Sequence, residues 1–218
     1  MKYSLPVIVI GAGGHAAVVA DALLAGGATV LGFTDANPER HGRVICGLPV
    51  LGDDRVLAEY GGDGVVLANG LGGLGDERVP ARQRLQQSLE DRGWRFCSVI
   101  HPNAIVSRFA QLGVSVQIMA GSVIQAGASL GAGSIVNTSA VLDHDVFIGA
   151  WSHIAPRAVV CGQTQVGLAS HVGAGATIRQ GLLIGDYTLI GIGAVVVKNF
   201  SGGGVLVGVP ARPVERRK

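Results

Sequence analysis

Written in sixes, residues 111–146 read QLGVSV, QIMAGS, VIQAGA, SLGAGS, IVNTSA, VLDHDV. The second position of every block is Leu or Ile or Val, and the sixth is mostly small. The pattern continues without interruption through FIGAWS, HIAPRA, VVCGQT, QVGLAS, HVGAGA, TIRQGL, LIGDYT, LIGIGA and VVVKNF, fifteen blocks in all. Two earlier blocks, VIHPNA and IVSRFA, carry it back to Val99. A six-residue period sustained this long marks a solenoid of hexapeptide repeats. A second period lies inside the first, because Gly113, Gly131, Gly149, Gly167 and Gly185 recur every 18 residues. Three hexads therefore make one coil, and successive coils stack about 4.8 Å apart. Seventeen hexads give nearly six coils, a triangular prism roughly 27 Å long. The aliphatic second position points inward, where full burial stabilises by about 1.5–3 kcal/mol per side chain.

The first ~95 residues follow another rule. VIVIG (7–11) is an apolar strand, HAAVVADALLAGG (15–27) has helical length with an apolar stripe, and TVLGFTD (29–35) and GVVLANG (64–70) are further strands. ARQRLQQSLEDRG (81–93) is an amphipathic helix ending in glycine. Strands alternating with helices imply a parallel sheet in an α/β unit.

Composition narrows the function classes. The chain has 218 residues, a net charge of +2 and only 15% charged residues, with no basic run interleaved with aromatics. Nucleic acid is therefore not the expected partner. The three basic groups of residues 213–218 read as a solvated tail. No stretch approaches the ~20 apolar residues of a membrane helix. The opening MKYSLPVIVIGAGG is too short and too glycine-rich in its apolar part for a signal peptide. Cys46, Cys97 and Cys161 form no CxxC pair, which fits reduced thiols in the cytoplasm. Thirty-five glycines against 5% aromatics suit a fold built by repeating backbone turns.

GAGGHA (11–16) fits G-x-G-x-x-A after a strand and before a helix, with Asp35 closing the next strand. Alone this is a dinucleotide fingerprint, in which backbone N–H groups hold a pyrophosphate and the acid binds a ribose hydroxyl. An NAD enzyme would need a second half-sheet, and none follows. The other polar cluster is Asp143, His144 and Asp145. Histidine titrates near working pH and suits a general base, and a neighbouring carboxylate would fix its tautomer. Alternation along a strand does not choose between the two aspartates. His153 and His171 open hexads one coil apart and should stack.

Taken together, GAGGHAAVV, IHPNAIVS, NTSAVLDHDVFIGAWSHIAP and GVPAR give the chain a close resemblance to bacterial nucleotide-sugar acetyltransferases of the left-handed β-helix superfamily. More narrowly, it resembles the branch that carries an N-terminal Rossmann-like nucleotide-binding domain and acetylates 4-amino sugars on UDP or GDP. The resemblance implies a nucleotide-sugar-binding domain over 1–98, a left-handed β-helix over 99–200, and a coenzyme A-proximal loop and tail over 201–218. It implies direct transfer from acetyl-CoA, with His144 as base, Asp145 orienting it, and the Gly162 backbone N–H donating to the thioester carbonyl. His153 is implied near the thioester, Ala174 and Ile192 along the pantetheine arm, and Arg212 at a coenzyme A phosphate. Gly13, Gly14 and His15 are implied near the substrate phosphates, Asp35 near the nucleoside, and Asn69 and Gly70 in a further loop of that site. The LGGLGDERVP loop is longer than the family commonly has. Relatives are homotrimers whose sites lie between adjacent prisms, and no metal is expected. Alternatives are a sialic acid O-acetyltransferase, a zinc carbonic anhydrase on the same helix needing three histidines, and a non-catalytic nucleotide-binding scaffold.

Overall fold

The computed structural model describes residues 4–73 and 80–214. The chain divides into two compact units, Met1–Pro102 and Asn103–Lys218.

In the first unit, β1 (Val7–Ile10) is buried along its whole length and lies between β2 (Val30–Thr34) and β5 (Val66–Asn69), parallel to both. A strand covered on both faces has no polar side to show, so VIVI carries no alternation. Helix α1 (Gly14–Ala25) makes the crossover from β1 to β2 and buries Ala16, Val19, Ala20, Ala22 and Leu23. Between β2 and β5 the chain adds β3 (Val44–Ile45) and β4 (Leu48–Gly52), an antiparallel hairpin with Cys46 and Gly47 both at positive φ in its turn. The sheet order is β3-β4-β2-β1-β5. Two short 3-10 helices, Pro38–Arg40 and Asp54–Glu59, flank the hairpin; Asn37 and Asp53 cap them. Helix α2 (Ala81–Glu90) follows β5. Ile8, Ile10, Leu57, Val65, Leu67, Leu89 and Trp94 make one apolar core. The long loop foreseen between Gly70 and Pro80 lies mostly outside the described residues, as does the end of the basic tail.

The second unit is the repeat array wound into a three-sided parallel β-helix. Each hexad's first two residues form a strand, and the strands from Ile105–Val106 to Thr177–Ile178 each pair with the equivalent 18 residues on, as in Val141↔Val159, Phe147↔Gln165 and His153↔His171. The aliphatic second positions from Ile118 to Val196 are at most 3% exposed, whereas Leu112 near the start of the array is 36% exposed. The turns obey a stricter rule than composition showed. The fifth residue of every hexad from Ser115 to Gly193 has positive φ, and eight of these fourteen are not glycine. Asp145 is one of them, at φ 57°. The third-position glycines serve a different purpose, close approach of coils: a Cβ on Gly113 would lie 2.7 Å from Ala132 N.

Sixth-position hydroxyls form a buried ladder along one edge. Ser152 Oγ donates to Gly167 O and accepts from Ser170 N–H, while Ser170 Oγ accepts from Thr188 N–H at 3.0 Å. Past the array, Val205–Val207 adds in parallel beside Leu189–Ile190, and Arg212–Val214 returns antiparallel to it.

Candidate active site

His144 is the fourth residue of its hexad and stands at a corner of the prism, just after the strand Val141–Leu142. The left-handed backbone at Asp145 brings its carboxylate round to the ring, so that Nδ1 and Oδ2 are 2.9 Å apart. Asp143 takes another part: its Oδ1 accepts the His144 backbone N–H at 2.8 Å. The two aspartates that alternation left equivalent therefore make different contacts. The Asp145 hydrogen bond raises the His144 pKa above the ordinary imidazole value; slight desolvation opposes this, and the charges of Asp143 and Asp145 add to it. With Nδ1 held by a carboxylate, Nε2 carries the lone pair at the other end of the ring.

Nε2 points across one coil to Gly162, and a Cβ built there would lie 2.5 Å from it. The Gly162 carbonyl accepts from Gly181 N–H at 2.9 Å, whereas no acceptor among the described residues takes the Gly162 N–H. A base nitrogen and a backbone donor thus border the same small volume. Cys161, beside it, is half-buried, and desolvation followed by the Asp143 charge raises its thiol pKa. It is a poor thiolate source, consistent with transfer that needs no acyl-enzyme.

His153 and His171 stack edge to face with centroids 4.9 Å apart, and His153 Nε2 lies 3.1 Å from Asn137 Nδ2. Among the described residues no group of three His, Cys, Asp or Glu is arranged to hold a metal. Within the prism, the whole Phe147–Ile148 strand and a corner on either side of it separate His144 from His153. Ala174 gives its carbonyl to Gly193 N–H at 2.9 Å, and Ile192 is 84% exposed. Arg212 borders a cavity of about 260 Å³ with Lys198, Phe200, Leu206 and Pro213 among its walls.

In the α/β unit Gly13 caps α1 and Gly14 opens it, with His15 half-buried behind them. Asp35 faces this loop, but protein donors engage its carboxylate. Oδ2 accepts Ala12 N–H at 2.8 Å and Arg40 Nη1 at 3.0 Å, and Oδ1 accepts Asn37 N–H at 2.9 Å. Burial pushes the Asp35 carboxyl pKa up, but these bonds and the Arg40 charge outweigh it and hold it below the usual value. Asn69 gives its amide to Arg82 O at 2.8 Å and Gln86 Oε1 at 3.2 Å, tying the end of β5 to α2. Gly70 is needed for close packing, since a Cβ there would meet Ala16 Cβ and Ile10 O at 2.7 Å. Asn69 and Gly70 thus shape the loop from within. Sequence reading overlooked Arg40, whose only signal was a basic residue five positions after Asp35.

Residues 6–88 match the family described as the PglD N-terminal domain. No curated protein sequence matches the chain. Among solved structures, a histidine-to-asparagine mutant of perosamine N-acetyltransferase from Caulobacter crescentus, in complex with CoA and GDP-perosamine, is 36% identical. It covers 98% of each chain with a TM-score of 0.89. The acetyltransferase domain of PglB from Neisseria gonorrhoeae, in complex with acetyl coenzyme A, is 35% identical over 96% of this chain and 98% of its own, with a TM-score of 0.88. WeeI from Acinetobacter baumannii, at 24% identity and a TM-score of 0.85, shares the fold. With both units, the repeat register and this full-length likeness in hand, the chain belongs to the nucleotide-sugar acetyltransferases of the hexapeptide-repeat, left-handed β-helix superfamily.

Proposed function

We propose that the protein transfers the acetyl group of acetyl-CoA to the 4-amino group of a nucleotide-linked 4-amino-4,6-dideoxy sugar. The observation that carries this reading is the facing pair of His144 Nε2 and Gly162, with Asp145 behind the ring. His144 takes the amine proton as the nitrogen attacks the carbonyl carbon. Asp145 fixes the ring's tautomer and stabilises the imidazolium that results. The Gly162 N–H donates to the carbonyl oxygen as negative charge gathers there. The carbon–sulfur bond then breaks, and the proton held by His144 is available to the departing thiolate. Exposed Ile192 and the basic pair Lys198 and Arg212 at the end of the array suit the apolar arm and the phosphates of coenzyme A.

His153 lies across a full face from His144, so both can serve one thioester only if two chains meet. That supports a homotrimer with shared sites, a closed symmetric assembly. Three cysteines without a disulfide suit the cytoplasm.

The test is thiol release from acetyl-CoA with UDP-, GDP- and dTDP-linked 4-amino-4,6-dideoxy sugars, and sialic acid as the hydroxyl control. Turnover of one amino sugar that is lost in His144→Ala supports the reading. Turnover of sialic acid alone makes the protein an O-acetyltransferase.

A further inference from the structure

Glycine is needed in a fold where φ is positive or where a Cβ has no room. Neither applies to Gly13 or Gly14. Gly13 has φ −92° and ψ −173°, which any residue adopts. A Cβ on it would touch only Arg40 Nη1, at 3.9 Å, and a Cβ on Gly14 would meet nothing within 4 Å. Gly14 also sits in a helix, where alanine is the better former. Their neighbours are different: Gly11 has φ +95°, and Gly70 is packed against Ala16 and Ile10. The fold therefore keeps a floor without side chains in front of Gly13 and Gly14, and the Arg40 guanidinium stands at its edge.

Arg40 is aimed from behind. Its Nη1 bonds Asp35 Oδ2 at 3.0 Å, and that oxygen is itself fixed by Ala12 N–H. The Asp35 side chain is 12% exposed and that of Arg40 is 41% exposed. The carboxylate is turned into the protein and the cation is turned out. One of five N–H donors of the guanidinium is used in this bond, and its planar fork matches phosphate oxygens.

We propose that Arg40 binds the diphosphate of the acceptor nucleotide over Gly13 and Gly14, with Asp35 as the positioning residue that holds Arg40 there. The assignment rests on the nucleotide-sugar reading above and names the side chain that recognises the diphosphate. It also moves Asp35 from a nucleoside contact to a support for that side chain.

Calorimetric titration of the full chain with UDP, GDP and dTDP tests this without acetyl-CoA, using uridine, guanosine and thymidine as phosphate-free controls. Arg40→Gln is expected to weaken whichever diphosphate binds by roughly 10- to 100-fold and to leave the nucleosides unaffected, with part of the loss recovered in Arg40→Lys. Asp35→Asn is expected to lose a similar amount, and the double variant no more than Arg40→Gln alone, because the two act as one unit. Gly13→Ala should keep the wild-type melting temperature and also bind the diphosphate more weakly. In turnover, Arg40→Gln should raise KM for the nucleotide sugar and leave KM for acetyl-CoA unchanged. Unchanged diphosphate affinity in Arg40→Gln overturns the assignment. Additive losses in the double variant overturn the role given to Asp35. A wild-type chain that binds none of UDP, GDP and dTDP removes the nucleotide-sugar reading itself, and this assignment with it.

Discussion

The imidazole of His144 fills the space in which a side chain at position 162 would stand. A Cβ on Gly162 would lie 2.5 Å from Nε2, 2.7 Å from Cε1 and 3.0 Å from Cδ2. The φ of Gly162 lies outside the left-handed region, so the ring alone excludes a larger residue. Gly162→Ala is therefore expected to fold with a melting temperature within a few degrees of wild type. Its kcat should fall by about 10²-fold or more, because the base is displaced and the backbone donor is shielded. Wild-type kcat in that variant would show that the ring's position is not used.

The pH profile reports on the same pair. The Asp145 hydrogen bond raises the His144 pKa, yet His144 can act as the proposed base only when neutral. Activity should rise with pH through the raised pKa and level off above it. Stability works the other way: a raised folded pKa contributes below the unfolded imidazole value and is lost as pH rises through the folded one. Asp145→Asn should move the acid limb of the rate profile to lower pH and reduce the plateau. Asp143→Asn, whose carboxylate contacts the backbone N–H, should move the limb less. An acid limb that stays in place in Asp145→Asn would separate the carboxylate from the base.

The hydroxyl ladder makes a prediction about stability alone. Ser170 Oγ accepts Thr188 N–H at 3.0 Å inside a buried corner. Ser170→Ala removes that acceptor, which costs about 1–3 kcal/mol when the donor stays dry. The expected result is a lower denaturation midpoint with kcat unchanged. A midpoint equal to wild type would mean that the corner repacks.

The repeat was legible because its two periods are carried by residue type. Leu, Ile and Val at second positions and glycine every 18 residues determine which strands pair and with what register. The placement of β1, β2, β5, α1 and α2 was equally readable from apolar runs and their lengths. The hairpin of β3 and β4 was not, since β3 has only two residues and just two pairs, Val44↔Pro49 and Ile45↔Leu48, flank Cys46–Gly47, too short a pattern. The positive φ at every fifth position was also hidden, because Trp151, Arg157 and Tyr187 are not residues that signal it. Repetition forces that backbone on them, whatever the side chain. The distinct contacts of Asp143 and Asp145 follow directly from this turn. Arg40 was missed for a different reason: its meaning depends on Asp35 and Gly13, brought beside it by the sheet.

His144 and His153 stand on either side of the Phe147–Ile148 strand of the same coil, so the proposed site, which uses both, would lie between two prisms. In a cyclic trimer each site would take His144 from one chain and His153 from the next. Chains carrying His144→Ala and chains carrying His153→Ala would each form trimers with no intact site. A trimer mixed in either proportion, however, recovers one intact site at the junction where both histidines are wild type. Random co-assembly from equal amounts makes three quarters of the trimers mixed, so about a quarter of all sites should be restored. Co-expression followed by a thiol-release assay reads this directly. Activity at that level, absent from either variant alone, is the expected result. Activity no higher than the two variants measured separately would mean that each prism works by itself.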